Sequence, residues 1–192
     1  MSGAGPGVFS NRRPSETACL GKTAFRRRTG WDGSRFAAYA RKTMSTPEPI
    51  VISVDLPVTP ERAYAAFTAQ FAEWWPVTTH SLSRQAATRC RFDAMSGGAV
   101  EEQAPDGLRH LWGTVEAIEP GRRLRFSWHP GREPDTAQWI DVEFTPIDAG
   151  SRVTLTHGGW GALGEIAPIL RREYVSGWQV VFGIIYADFA RN

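Results

Sequence analysis

Ser151-Arg-Val-Thr-Leu-Thr-His157 leads through Gly158-Gly-Trp-Gly161 into a long helix, nearly free of charge, ending in Trp178-Gln-Val-Val-Phe-Gly-Ile-Ile-Tyr186. The first segment alternates apolar and polar residues at the period of a strand. A helix as apolar as the last one cannot lie on a wet surface, so a wide hydrophobic face must wrap it. Only the strands upstream can supply that face. The reading is a sheet gripping a helix, an arrangement with room for a pocket between the two.

The closing helix is read over residues 168–191, with Leu170, Tyr174, Trp178, Val181 and Ile185 as its main stripe and Phe182 and Phe189 broadening it. Its length is roughly 36 Å, enough to cross a whole sheet. Gly177 and Gly183 each cost about 1 kcal/mol relative to Ala inside a helix, which predicts close packing at both.

Upstream, Ile50–Leu56 reads as a first strand, ended by Pro57. Thr59-Pro60 then supplies an N-cap with proline at the first helical position. The helix that follows places Ala63, Phe67, Phe71 and Trp74 on one face and stops at Pro76. Residues 77–89 have weak patterning and are expected to loop along the edge of any pocket. Six short strands follow, at residues 89–94, 99–103, 108–118, 122–128, 138–145 and 151–157, separated by Gly-, Pro- and Asp-rich turns. Leu124, Phe126 and Trp128 share one face. So do Ile140, Val142 and Phe144, and so do Val153, Leu155 and His157. Parity around Trp112 is mixed, and its face stays open. The order β-α-α-β6-α defines an α+β domain, a curved antiparallel sheet around a long C-terminal helix.

Composition separates two parts of the 192 residues. Residues 1–43 carry nine Lys and Arg against two acids, whereas residues 44–192 carry thirteen Arg and no Lys against eighteen acids. The basic head lacks apolar periodicity. It is expected to be a disordered tail or an extension upstream of a start at Met44, and its Arg-rich, acid-poor composition also fits an organelle transit peptide. The 44–192 part, net −5, is read as one domain whose acidity argues against a nucleic-acid partner. Two cysteines, Cys19 and Cys90, form no disulfide framework, and a reducing cytoplasmic location is expected. No apolar run reaches the length of a membrane span.

Chemistry-bearing residues are sparse. The histidines, at 80, 110, 129 and 157, lack ligand spacing, so no metal or cofactor is expected. His157 turns inward and is expected to be a buried imidazole bonded to backbone. Cys90 reads as a packed, inert thiol. One of Glu101 and Glu102 should face inward and need a partner such as Arg91. No nucleophile elbow or triad order occurs, so catalytic residues are not assigned. Seven of eight tryptophans fall in the 44–192 part, and some are expected to line a cavity. Trp74 and Trp75, adjacent at a helix end, are not expected to face inward together.

Gly97-Gly98, Asp106-Gly107, Trp112-Gly113-x-Val115, Pro120, residues 124–128, His157 and Tyr174-x-x-Gly177-Trp178 resemble the START-like (SRPBCC) superfamily. Within it they resemble the branch named for the activator of the heat-shock-protein-90 ATPase. The resemblance covers about residues 50–190. It implies a helix-grip fold with an internal apolar cavity and brings no invariant catalytic set with it.

The function expected is binding of a small hydrophobic, aromatic or lipid-like molecule in a cavity of roughly 300–1,000 Å³. Its walls are expected from Trp74, Phe126, Trp128, Phe144, His157, Trp160, Tyr174 and Trp178. Two alternatives use the same fold: a co-chaperone-like module with a heat-shock chaperone as partner, and a cyclase- or lyase-type enzyme.

Overall fold

The computed structural model describes residues 46–192; the expectations for residues 1–43 lie outside the described residues. Seven strands form one antiparallel sheet in the order β1-β7-β6-β5-β4-β3-β2. They are β1 (Ile50–Leu56), β2 (Arg89–Phe92), β3 (Ala99–Gln103), β4 (Arg109–Glu119), β5 (Arg123–Trp128), β6 (Gln138–Ile147) and β7 (Gly150–Gly158). Three short helices, α1 (Pro60–Phe67), α2 (Phe71–Trp74) and α3 (Val77–His80), connect β1 to β2. After a 3-10 segment at Trp160–Ile166 comes α4 (Ala167–Val180), continued by a π-helical stretch at Val181–Tyr186 and by α5 (Ala187–Ala190). This is an α+β helix-grip fold, a curled sheet holding the long C-terminal helix.

Apolar residues of the inner face meet rung by rung. Leu124 pairs with Val142, which pairs with Leu155, and Phe126 follows through Ile140 and His157 to Ile50. All except His157 are hydrocarbon or aromatic, and all seven are buried. The opposite face carries the charges. Arg123 donates to both carboxylate oxygens of Asp141 at 2.9 and 2.6 Å, and Arg152 does the same to Asp55 at 2.7 and 2.9 Å. The Arg152–Asp55 pair is exposed and adds little stability, whereas Asp141 is buried beneath its arginine; both pairs fix which side turns outward.

The helix after Pro60 is capped as its sequence predicts, with Thr59 Oγ1 accepting from the Arg62 N–H at 3.3 Å. It does not run unbroken to Trp74. Thr68 Oγ1 donates back to the Tyr64 carbonyl at 2.8 Å, and the helix stops there before α2 resumes. Ala63, Phe67, Phe71 and Trp74 are nonetheless all buried.

Two expectations are corrected, and one face left open is assigned. Trp74 and Trp75 both face inward, because Trp75 lies beyond α2 with extended backbone (φ −67°, ψ 125°) and escapes the helical rule. The C-terminal stripe continues after Val181 as Phe182, Tyr186, Ala187 and Ala190, all buried, while Ile185 is only half-buried. The π-helical stretch at Val181–Tyr186 resets the phase that a uniform helix would give. Mixed parity around Trp112 has its cause in register shifts between Val100 and Glu101 and between Val115 and Ala117. Trp112 itself points inward and is 1% exposed. The next residue admits only glycine, since a Cβ on Gly113 would lie 1.7 Å from the Ser127 carbonyl oxygen.

Candidate functional site

A cavity of about 240 Å³ opens between the sheet and the C-terminal helix. Trp112 from β4, Trp128 from β5, Trp75 after α2 and Trp178 from α4 bring four indoles to its wall, joined by Tyr174, Gly177 and Val181. The outer rim is Thr79, His80, Ser81, Leu82, Arg84 and Pro130, from α3 and two loops. The four indoles, each under 8% exposed, form the inner end, and the exposed rim residues mark the mouth.

The indole rings touch one another. Trp75 and Trp112 have centroids 5.3 Å apart, Trp112 and Trp128 5.8 Å, and Trp128 and Trp178 5.9 Å, all in tilted or edge geometries. Three of the four N–H groups have protein acceptors. Trp75 donates to the His80 carbonyl at 2.8 Å, Trp128 to the Tyr174 hydroxyl at 3.2 Å and Trp178 to His157 Nδ1 at 2.9 Å. The fourth, on Trp112, is buried and has no partner. An unmet buried donor costs roughly 1–3 kcal/mol.

Gly177 corrects another expectation. A Cβ there would meet only His80 Nε2, at 3.9 Å, and at Gly183 only the Trp178 carbonyl, also at 3.9 Å. Neither glycine is a point of close packing. At Gly177 the missing side chain leaves space that belongs to the cavity.

His157 stands behind the wall. Its ring accepts from Trp178 and lies 4.3 Å from the Trp160 ring and 4.8 Å from Tyr174, while its own carbonyl takes the Trp160 N–H at 3.1 Å. The ring is thus bonded to a side chain rather than to backbone, and the Nε2 atom is buried without a partner. Burial, and then the positive charge of Arg132, push its pKa from 6.5 down to about 3, so the imidazole is neutral at physiological pH. It serves as a fixed acceptor that orients Trp178.

The mouth loop is anchored from inside. Glu102 faces inward, is 0% exposed, and accepts the Leu82 and Ser83 backbone N–H groups at 2.7 and 2.9 Å. Backbone amides, not Arg91, compensate the buried carboxylate. Arg91 pairs instead with Glu101, at 3.0 Å, on the outer face, where Arg109 joins at 2.9 Å. Cys90, opposite Glu102 in the β2–β3 register, is buried, and its thiol pKa is pushed up to about 12, mainly by desolvation.

Of the wall residues expected from sequence, Trp128, Tyr174 and Trp178 line the cavity. Trp74, Phe126, Phe144, His157 and Trp160 are buried in the packed interior instead. Trp75, Trp112 and Pro130 also line it, as do Thr79, His80, Ser81, Leu82 and Arg84 from the segment expected at the pocket edge. The doubled tryptophan and the weakly patterned segment before β2 were the available signals for them. Among the described residues no group of three His, Cys, Asp or Glu is placed to hold a metal ion, and no helix is long and apolar enough to cross a membrane.

A family model described as activator of Hsp90 ATPase homolog 1-like protein matches residues 57–187. Similar solved structures include a protein from Chromobacterium violaceum, 22% identical over 76% of this chain and 99% of that one, with a TM-score of 0.53. An anthrahydroquino-gamma-pyrone synthase is 24% identical over 75% of this chain and 97% of its own, with a TM-score of 0.52. A protein from Micromonospora echinospora is 18% identical over 74% of each chain, with a TM-score of 0.52. At such identities the likeness establishes the fold alone. No curated protein matches the sequence.

Proposed function

The chain belongs to the activator of Hsp90 ATPase homolog 1-like family, and we propose that it binds a small, mainly aromatic molecule in the four-indole cavity. The observation that carries this reading is the meeting of four indoles, from β4, β5, α4 and the segment after α2, around one cavity between the sheet and the helix. Size narrows the class. At about 240 Å³ the space is smaller than the lipid-sized pockets the sequence suggested. A dry cavity of about 150 Å³ accepts benzene, so this one suits a single substituted ring better than an acyl chain. Trp112, Trp128, Tyr174 and Trp178 are the proposed ligand contacts.

Tryptophan emission tests the reading directly. Substituted benzenes should quench it saturably in the wild type. Gly177→Leu, whose Cβ would meet only His80 Nε2 at 3.9 Å, should abolish the saturable part with a melting temperature no lower than that of the wild type. Linear, non-saturating quenching by every compound in such a panel would sink the reading.

A further inference from the structure

We propose that the occupant of this cavity is an aromatic anion, its ring among the indoles and its charge facing Arg84 at the mouth. This rests on the cavity reading above and adds the sign of the ligand's charge. Arg84 is the one permanently charged residue of the lining, which contains no Asp or Glu. A second cation lies one hydrogen bond away. Arg132 donates to the Tyr174 hydroxyl at 3.4 Å and to Gln138 Oε1 at 2.8 Å, both uncharged. Among the described residues neither arginine has an ion-pair partner; Arg62, Arg89, Arg122, Arg171 and Arg172 have none either, but none of those five lines the cavity.

The positive field reaches the rings around the cavity from both sides. His80, on the rim, has its pKa lowered by burial and by Arg84, and His157, behind the wall, by burial and by Arg132. In a domain of net charge −5, this cavity is a place where an anion meets uncompensated cations.

The loop presenting Arg84 is fixed rather than trailing. Ser81 Oγ donates to the Val77 carbonyl and accepts the Arg84 N–H at 2.9 Å, and Arg84 adopts a left-handed φ of 51°. It is the only non-glycine with positive φ among the described residues. Glu102, the acid that holds this loop, has both oxygens committed to the Leu82 and Ser83 amides and is not part of the lining.

The test is a fluorescence titration with three probes of one shape: benzoate, benzamide and benzylammonium. Benzoate should bind roughly fivefold more tightly than benzamide at low salt, and benzylammonium most weakly, as expected of one partly exposed ion pair. The preference should shrink as ionic strength rises to about 0.5 M. In Arg84→Gln, an exposed position whose replacement should leave the melting temperature unchanged, benzoate should fall to the affinity of benzamide, which itself stays constant. Equal wild-type affinities for benzoate and benzamide, or a preference untouched by Arg84→Gln, would overturn the charge assignment and leave the cavity reading standing. Absence of saturable binding by all three would overturn both.

Discussion

The two ends of the helix–sheet interface are built from the same kinds of residue and behave differently. Toward the C-terminus the interface is solid. Phe67 of α1 meets Tyr186 at 5.4 Å, Phe144 at 6.1 Å and Phe182 at 6.5 Å, and Phe182 stacks on Tyr186 at 5.2 Å. Toward the other end the helix presents Tyr174, Gly177 and Trp178 to a hollow. Aromatic content therefore does not decide which end is full. The full end has α1 laid across it, with the Tyr186 hydroxyl donating to the Ala63 carbonyl at 2.9 Å. The hollow end has only a one-turn helix and a loop for cover, and a glycine where a side chain would project.

The comparison breaks most visibly at the solid end. Phe67→Ala removes a ring that is 2% exposed and in contact with five other aromatic rings. It should destabilise the fold by about 3–5 kcal/mol, read by chemical denaturation, because the neighbours cannot collapse into the void. A loss below about 1 kcal/mol would mean that this end is as loosely filled as the other.

Acid should weaken the fold through the post behind the cavity. His157 is held neutral in the folded state, its pKa lowered to about 3, whereas the unfolded chain takes up a proton near 6.5. The unfolded state therefore binds more protons between these values. This contribution is intact above pH 6.5 and is lost progressively as pH falls toward 3, where the loss levels off. The cumulative effect is a few kcal/mol. His157→Gln keeps an acceptor for the Trp178 N–H and should flatten that part of the stability–pH curve relative to wild type. Parallel curves for the two proteins would show that His157 titrates normally.

Next comes the anchor of the mouth. Glu102→Ala leaves the Leu82 and Ser83 amides without their acceptor and should cost about 2 kcal/mol. It should also weaken ligand binding, since Arg84 and the rim depend on that loop. Glu102→Gln, which can still accept from one amide, should lose less on both measures.

These outcomes also mark what the sequence could convey. Strand parity put Phe126 and Trp128 on one face, and both point inward, but Phe126 is met by Phe92 at 5.2 Å while Trp128 reaches the hollow. Alternation reports which side a residue takes, not whether anything opposes it there. The order of elements and the gripping sheet were legible because apolar periodicity is local. Three features were not. Trp75 turns inward through an extended backbone after a helix end, the π-helical stretch shifts the last stripe, and Glu102 is bonded by amides about twenty positions away in the chain. Each depends on a tertiary neighbour that periodicity does not encode.

The smallest predicted effect bears most directly on the comparison, because it has the opposite sign. Glycine inside a helix gives up about 1 kcal/mol relative to alanine, and at Gly177 no close neighbour explains it: a Cβ would meet only His80 Nε2, at 3.9 Å. Gly177→Ala should therefore stabilise the protein by up to about 1 kcal/mol while narrowing the cavity and weakening benzoate binding. Gly183, on the π-helical stretch and outside the cavity lining, is the control: alanine there should leave affinity unchanged. If Gly177→Ala destabilised the fold, the space beside Trp178 would be a packing contact after all. If it stabilised the fold and left affinity untouched, the hollow would be an unused gap in the core. Stability gained with affinity lost is the result that identifies the hollow end as a site the fold keeps open at its own expense.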